Sequence, residues 1–290
     1  MPTIKGNLGG IEIGDDYPVR IMGVINLTRN SFYRGSVRTT REEIQQTVKE
    51  MKDEGADVID VGARSTAPYR KYEIPAEVEK RIIHEAVRQI IAISDLPVSV
   101  DTTRFEPAKA GLEEGAAILN NVYGFMQKEA ERLAKLVARK EASLILTAHE
   151  LRPKKLSDPI QRVISSLREG LQIAYDNGIS SDKIAIDPAI GFFKDQKISN
   201  SDWNSSIISN LRRFRSLERP LCLGLSRKSF IGHLLGNKPP EMRLHGSIAA
   251  TALAVYNGAH VIRTHDVSAT LDAVRVSTAI REKGLIHDDE

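Results

Sequence analysis

Three apolar runs in this chain lead into side chains that accept hydrogen bonds: PVSVD into Asp101, AILN into Asn120 and KIAID into Asp187. Carboxylate and amide oxygens on neighbouring strands suit a flat heterocycle with several N–H donors, such as a pterin or a guanine-like ring. Lys228, in LSRKS, could meet the carbonyl of such a ring. Arg263 and His265 flank Thr264 in VIRTH, so strand periodicity puts both on one side, where an arginine fork suits phosphate or pyrophosphate oxygens. Asn26 ends IMGVIN with a neutral oxygen able to join a Mg²⁺ shell completed by waters and phosphates. A heterocycle at one side and an anion with metal at the other imply a substrate carrying an activated diphosphate. Each residue alone also has a plainer reading: Asp187 before a proline can start a turn, Asp266 can cap the next helix, and Asn120 can satisfy loop backbone. Ser226, Ser229 and Ser247 have no evident Ser-His-Asp partners, so no covalent intermediate is expected.

These side chains need elements that bring them together. Short runs rich in Val and Ile alternate with longer amphipathic stretches, the pattern of βα units and a parallel sheet. Strands are expected at 19–26, 57–62, 97–101, 117–122, 143–149, 183–188, 221–226 and 260–266, with helical patterns such as REEIQQTVKEMKDEG, EVEKRIIHEAVRQIIAI, EPAKAGLEEG, KEAERLAKLVARK and SIAATALAVYNG among them. Eight such pairs have the dimensions of an α/β (β/α)8 TIM barrel, in which strand carboxyl ends build the active site. A doubly wound open sheet is the competing architecture, but no strand is followed by G-x-G-x-x-G. Residues 1–18 read as a hairpin lid under the barrel, 19–282 as the barrel and 283–290 as a polar tail. In a barrel the strand ends converge on one mouth, and so many polar groups cost desolvation unless a polar ligand offsets it.

Composition narrows the class. The 290 residues are 41% hydrophobic, enough for a large core, and the net charge of +3 with 5% aromatics favours no nucleic-acid partner. No run of about 18 apolar residues is present and MPTIKGNLGG lacks the parts of a secretory signal, so the expectation is a cytoplasmic protein with no membrane partner. Cys222, the one cysteine, sits in PLCLGLS and reads as a buried, inert thiol.

Six segments in unbroken order, IMGVINLTRNSF, GADVIDVGARSTAP, VSVDTTRFEPAKAGLEEGAAILNNV, IAIDPAIGFFK, LGLSRKSFIG and GAHVIRTHDV, resemble the signature segments of the dihydropteroate synthase family. The resemblance spans roughly residues 19–281. It implies a pterin-binding (β/α)8 enzyme of folate synthesis that joins 6-hydroxymethyl-dihydropterin diphosphate to p-aminobenzoate and releases pyrophosphate with Mg²⁺. By position it implies that Asp101, Asn120, Asp187 and Lys228 hold the pterin, with Gly191 letting the ring approach the backbone. It likewise implies that Asn26, Arg263 and His265 hold the diphosphate and metal, and that the catalytic group comprises Asp187, Lys228, Arg263 and His265. The family's habit of pairing through late helices implies a homodimer.

Departures cluster in two loops. The family's T-P-D-S-F-S-D-G is TRNSFYRG here, with Arg29, Asn30 and Arg34 in place of Pro and two Asp. Its G-E-S-T-R-P-G stretch is ARSTAPY, with Arg64 for Glu, Ala67 for Arg and Tyr69 for Gly, while Ser65 and Thr66 persist. His149 has no clear counterpart and reads as structural, and Phe193 replaces a glycine before Lys194. In the family these two loops close over the diphosphate and complete the amine pocket. The added Arg29, Arg34 and Arg64, with Arg70 and Lys71, could receive an extra anion on a phosphorylated aryl amine. Archaeal relatives, which IGDDYPVRIMGVIN resembles, use such an amine in methanopterin synthesis. Two alternatives stay open: a pterin-dependent methyltransferase on the same barrel, and a pterin-binding protein without turnover.

Overall fold

The computed structural model describes residues 2–28, 34–64, 74–125, 128–150, 158–193, 195 and 197–284. Two short strands, β1 (Lys5–Leu8) and β2 (Ile11–Gly14), form an antiparallel hairpin. Eight parallel strands follow: β3 (Arg20–Asn26), β4 (Val58–Gly62), β5 (Val98–Asp101), β6 (Ile118–Asn121), β7 (Ser143–Thr147), β8 (Ile184–Asp187), β9 (Cys222–Gly224) and β10 (Val261–Thr264). Their order is β8-β7-β6-β5-β4-β3-β10-β9, and a parallel bridge from Ile186 to Leu221 joins the two ends. The sheet is thereby a nearly closed (β/α)8 barrel, as the alternating pattern led one to expect.

Nine helices lie among the described residues: α1 (Arg41–Asp53), α2 (Ala76–Ile91), α3 (Phe105–Glu114), α4 (Ala130–Arg139), α5 (Pro159–Asp176), α6 (Asn200–Ser209), α7 (Ser229–Leu234), α8 (Leu244–Tyr256) and α9 (Val267–Gly284). Local chemistry explains where they start. The Thr40 hydroxyl accepts from the Glu43 amide at 3.2 Å while the Glu43 carboxylate accepts from the Thr40 amide at 3.0 Å, a reciprocal box that caps α1. Asp158 caps α5 through the Ile160 amide at 2.8 Å, and Pro159 takes the first helical position, where no N–H is needed. The segment of α6, NSDWNSSIIS, has too few apolar residues to show a stripe, and it is set by the Ser199 hydroxyl accepting from the Asp202 amide.

Strands buried on both faces read as continuous apolar runs, and here one face meets the helices while the other fills the barrel. The barrel floor consists of Met22, Val58, Ile118, Ile145, Ala185, Cys222 and Val261, all buried. Leu8 and Ile13 of the hairpin pack into that floor, each burial worth about 1.5–3 kcal/mol. The hairpin turn is tied in as well: the Gly9 amide donates to the Ser143 hydroxyl at 2.9 Å, which donates onward to the Asn7 carbonyl. Gly9 has φ 63°, and a Cβ there would lie 2.9 Å from Ile118, so this turn requires glycine. The free Cys222 is sealed in the floor, where burial pushes its thiol well up. No described helix is long and apolar enough to cross a membrane.

Candidate active site

Strand alternation dictates what stands above the floor. With Val58, Ile118, Ala185, Cys222 and Val261 pointing inward, so must Asp60, Asn120, Asp187, Gly224 and Arg263, two residues nearer the carboxyl ends. A charged layer thus lies directly on an apolar one.

Arg263 organises this layer. Its Nε donates to Asp60 Oδ2 at 2.7 Å, and its Nη2 lies 2.6 Å from the same oxygen and 2.9 Å from Asp101 Oδ2. Asp60 Oδ1 in turn accepts from the Ser99 hydroxyl at 2.6 Å and, at 3.4 Å, from the Asn120 amide. Burial alone would lower the Arg263 guanidinium, but the paired carboxylates of Asp60 and Asp101 outweigh it and raise its pKa. Burial pushes Asp101 up to about 7 against the pull of Arg263, with the charge of Asp60 adding to the rise. Asp101 Oδ1 is buried with no hydrogen-bond partner among the described residues, an acceptor open to a ligand's donor.

On the neighbouring wall, Asp187 Oδ1 accepts from the Ala189 amide at 2.7 Å, and burial raises its pKa although Lys228 opposes the shift. Lys228 Nζ donates to the Ile190 carbonyl at 2.6 Å and lies 4.6 Å from the centre of the Phe192 ring. Burial lowers its ammonium to about 8, with Asp187 resisting. Gly191, at φ 86°, runs close beside it: a Cβ there would meet Lys228 Cδ at 3.3 Å. Lys228 owes its direction to Arg227, which has a left-handed φ of 55° and grips Asp266 at 2.9 and 2.7 Å. That ion pair ties up the Asp266 carboxylate and makes Arg227 an anchor of the loop.

Ser226 corrects one expectation. Its hydroxyl lies 2.8 Å from His265 Nδ1 and 3.4 Å from Asp266, so a serine–histidine pair does exist. It is not a nucleophilic triad, because the carboxylate pairs with Arg227 rather than with the imidazole. Burial lowers His265 to about 3, helped by Arg263, Arg227 and Lys228, so it is a neutral imidazole in solution near pH 7. His149 is lowered by burial too; its ring lies 4.9 Å from Tyr123 and its amide donates to Ser166 at 2.9 Å, contacts that fix the end of β7.

Asn26 donates from Nδ2 to Ser36 at 2.6 Å, which leaves Oδ1 without a partner among the described residues. A lone neutral oxygen fits a Mg²⁺ ion that arrives with a diphosphate and its waters; no cluster of three or more His, Cys, Asp or Glu able to hold a metal occurs among the described residues. Arg64, two residues past β4, donates to the Thr103 hydroxyl at 2.6 Å, and its Nε is buried with no partner among the described residues. Arg29, Asn30, Ser65, Thr66, Arg70, Lys71 and Lys194 lie outside the described residues, as does the side chain of Arg34.

The structure therefore gathers Asp101, Asn120, Asp187, Lys228, Arg263, His265 and Asn26 at the carboxyl ends of the strands. It adds Asp60 and Ser99, which sequence reading missed. The signal was present: a carboxylate two residues from Val58 in VIDVG must share its inward face.

Acidic, amide and basic groups converging at the carboxyl ends of a parallel eight-stranded barrel are the arrangement from which barrel enzymes build active sites. The model of the pterin binding enzyme family matches residues 22–265. A dihydropteroate synthase of Clostridium beijerinckii is 36% identical over 277 residues, which are 94% of this chain and 98% of that protein. Among solved structures, the dihydropteroate synthase of Coxiella burnetii in complex with pteroic acid is 32% identical, with a TM-score of 0.82 over 96% of this chain and 98% of that one. The Xanthomonas albilineans dihydropteroate synthase with 4-aminobenzoic acid is 33% identical, with a TM-score of 0.83 over 97% and 99%. The chain belongs to the dihydropteroate synthase family of pterin-binding transferases.

Proposed function

We propose that this chain condenses 6-hydroxymethyl-dihydropterin diphosphate with an aryl amine and releases pyrophosphate. The observation that carries the reading is the buried Asp101 Oδ1, unpaired among the described residues, beside Asn120, Asp187 and Lys228, with Arg263 and His265 on the same mouth. Asp101, Asn120 and Asp187 accept from the ring's N–H donors, Lys228 donates to its carbonyl, and Gly191 lets the ring lie against backbone. Arg263 and neutral His265 donate to the diphosphate. As the methylene C–O bond breaks, its electron pair leaves with pyrophosphate, and the amine nitrogen bonds to the carbon and gives up a proton. The chain's contribution is electrostatic: donors already in place where negative charge develops, and a carboxylate, Asp187, beside the electron-poor ring. Asn26 Oδ1 would hold Mg²⁺ on the diphosphate, supplying further charge stabilisation to the leaving group.

Arg64 favours an acceptor with an additional anion. Its Nε, unpaired among the described residues, and its place just past β4, together with Arg29 and Arg34, suit a phosphorylated aryl amine of the methanopterin type better than p-aminobenzoate alone. The exposed Leu253, Tyr256, Val276 and Ile280 on α8 and α9 suit pairing with a second copy, in the cytoplasm, and sedimentation velocity reads that directly: a single monomeric species at micromolar protein sinks the dimer. For the reaction, the test is incubation with pterin diphosphate, Mg²⁺ and a panel of aryl amines, following pyrophosphate and coupled product. Absence of pyrophosphate with every amine refutes the synthase reading. Equal or faster turnover with p-aminobenzoate than with the phosphorylated amine refutes the acceptor reading alone.

A further inference from the structure

Behind the wall that carries Gly191 and Lys228 lies a second buried cluster, centred on Arg162 of α5. Arg162 is 4% exposed in its side chain and Glu150, just past β7, is 6% exposed. Arg162 Nε lies 2.9 and 2.8 Å from the two Glu150 oxygens, and Nη2 lies 2.7 Å from one of them. Nη1 donates to Asp195 Oδ2 at 2.8 Å, while Asp195 Oδ1 accepts from the amides of Lys197 and Ile198 at 2.8 and 3.2 Å. The guanidinium also lies over the Trp203 ring at 5.0 Å and the Phe193 ring at 5.8 Å, and these two rings stack at 5.5 Å with planes 12° apart.

One planar cation thus joins four separate pieces of chain: the end of β7, α5, the segment after β8, and α6. Phe193 and α6, both of which it grips, adjoin the heterocycle wall. Phe193 is two residues from Gly191, whose amide donates to Asn204 on α6 at 2.7 Å. Ile190, whose carbonyl takes Lys228, and Phe192, whose ring faces it, lie within three residues of Phe193. Two buried charges and a two-ring stack are a costly arrangement for a surface loop that merely has to connect β8 to α6.

We propose that Arg162 is a positioning residue for the heterocycle site: by holding Asp195 and the stacked Phe193 and Trp203, it fixes residues 188–193 so that Gly191 and Lys228 meet the ring. The proposal rests on the pterin reading of the site above. Phe193, which stands where relatives were expected to carry glycine, acquires a purpose: it is the ring on which the clamp closes. Lysine cannot replace the arginine, since an ammonium has neither the fork that engages Glu150 and Asp195 together nor the flat face that lies on the rings.

The test uses Arg162→Lys and the paired Arg162→Gln/Glu150→Gln variant, which removes both buried charges at once so that folding survives. Binding of 6-hydroxymethylpterin and, separately, of inorganic pyrophosphate is measured by calorimetry. Emission of Trp203, the only tryptophan, reports the stack, and thermal unfolding reports folding. Expected for both variants are at least tenfold weaker pterin binding, pyrophosphate binding within twofold of wild type, and shifted Trp203 emission in protein that still unfolds cooperatively. The proposal is overturned if Arg162→Lys binds the pterin within twofold of wild type, or if both ligands weaken in step with the fraction folded. Wild-type protein that binds pyrophosphate but no pterin overturns the reading of the site, and the proposal with it.

Discussion

Replacing Asp60 by Asn tests the electrostatic core of the site without changing its shape. Asp60 Oδ2 receives two contacts from Arg263, at 2.7 and 2.6 Å. In the variant the amide oxygen must face Arg263 and the NH₂ must face Ser99, whose hydroxyl can accept instead of donate. Both Arg263 contacts survive and keep their charged donor, but each loses the negative charge of its acceptor. Hydrogen bonds to charged groups are worth about 1.5–3 kcal/mol and fully neutral ones about 0.5–1.5, so removing the anion from two contacts whose donor stays charged costs at most about 2 kcal/mol. For a 290-residue domain that lowers the melting temperature by up to about 3 °C. The same change removes a negative neighbour that raises Asp101, and it leaves Arg263 to Asp101 alone. Both effects favour ionised Asp101 at lower pH. In the wild type the raised pKa means that Asp101 contributes stability in acid that is lost as pH rises through about 7, while a ligand needing its carboxylate gains affinity over the same interval. Binding of 6-hydroxymethylpterin, which carries no diphosphate to confuse the charge effects, should therefore strengthen through pH 7 in the wild type and at lower pH in Asp60→Asn. Calorimetric titrations from pH 5 to 9 and a melting curve measure both. An unchanged melting temperature, or an affinity limb that moves to higher pH, refutes this account of the layer.

Three further outcomes follow from the same geometry. Arg263→Lys keeps a cation between Asp60 and Asp101 but loses the fork, so the affinity for pterin diphosphate should fall more than tenfold while that for 6-hydroxymethylpterin changes less than threefold; equal losses in an equilibrium titration contradict the assignment. Lys228, lowered to about 8, adds stability above its unfolded pKa that is lost as pH falls through about 8, whereas ligand binding needs the ammonium and should weaken above about pH 8. Lys228→Gln should remove that alkaline limb and cost about tenfold in pterin affinity, and a limb that persists in the variant shows another group to be responsible. Gly9→Ala forces a left-handed residue whose Cβ lies 2.9 Å from Ile118 and 3.0 Å from Pro97, so denaturant unfolding should show a loss of about 1–3 kcal/mol; a neutral result means that the hairpin is not seated as described.

Much of this site was legible because strand residues alternate strictly. Asp101, Asn120, Asp187, Arg263 and His265 stand at or near strand ends, where a polar group after an apolar run is conspicuous. Asp60 escaped notice for the opposite reason: it sits inside VIDVG, flanked by apolar residues, and only the inward register of Val58 reveals its direction. Ser226 and His265 are 39 residues apart, and nothing local in either segment signals their contact. The Arg162 cluster is harder still, since Glu150, Asp195 and Trp203 are brought to it by three different elements. Helix α6 follows from the strand–helix alternation alone, because its polar sequence carries no periodic stripe; its place comes from a serine cap and from burial of Trp203, Ile207 and Ile208.

The floor explains why these charges matter. Asp60 and Cys222 are both fully buried, and the hairpin residues Leu8 and Ile13 close the layer beneath them against water. Without that plug, solvent entering from below would screen Arg263 from Asp60 and Asp101, and the carboxyl of Asp101 would relax toward its ordinary value. The hairpin is therefore part of the site's electrostatics although it lies at the opposite end of the barrel. This gives the Gly9→Ala variant a second readout: besides losing stability, it should move the acidic limb of pterin binding to lower pH, in the same direction as Asp60→Asn but through hydration instead of charge. Sensitivity to salt separates the two causes. Screening by 0.5 M salt should shift the limb further in Gly9→Ala, where water has reached the layer, and hardly at all in Asp60→Asn, where the floor is intact. If Gly9→Ala unfolds more easily yet keeps the wild-type limb at every ionic strength, the floor stabilises the barrel without tuning its charges.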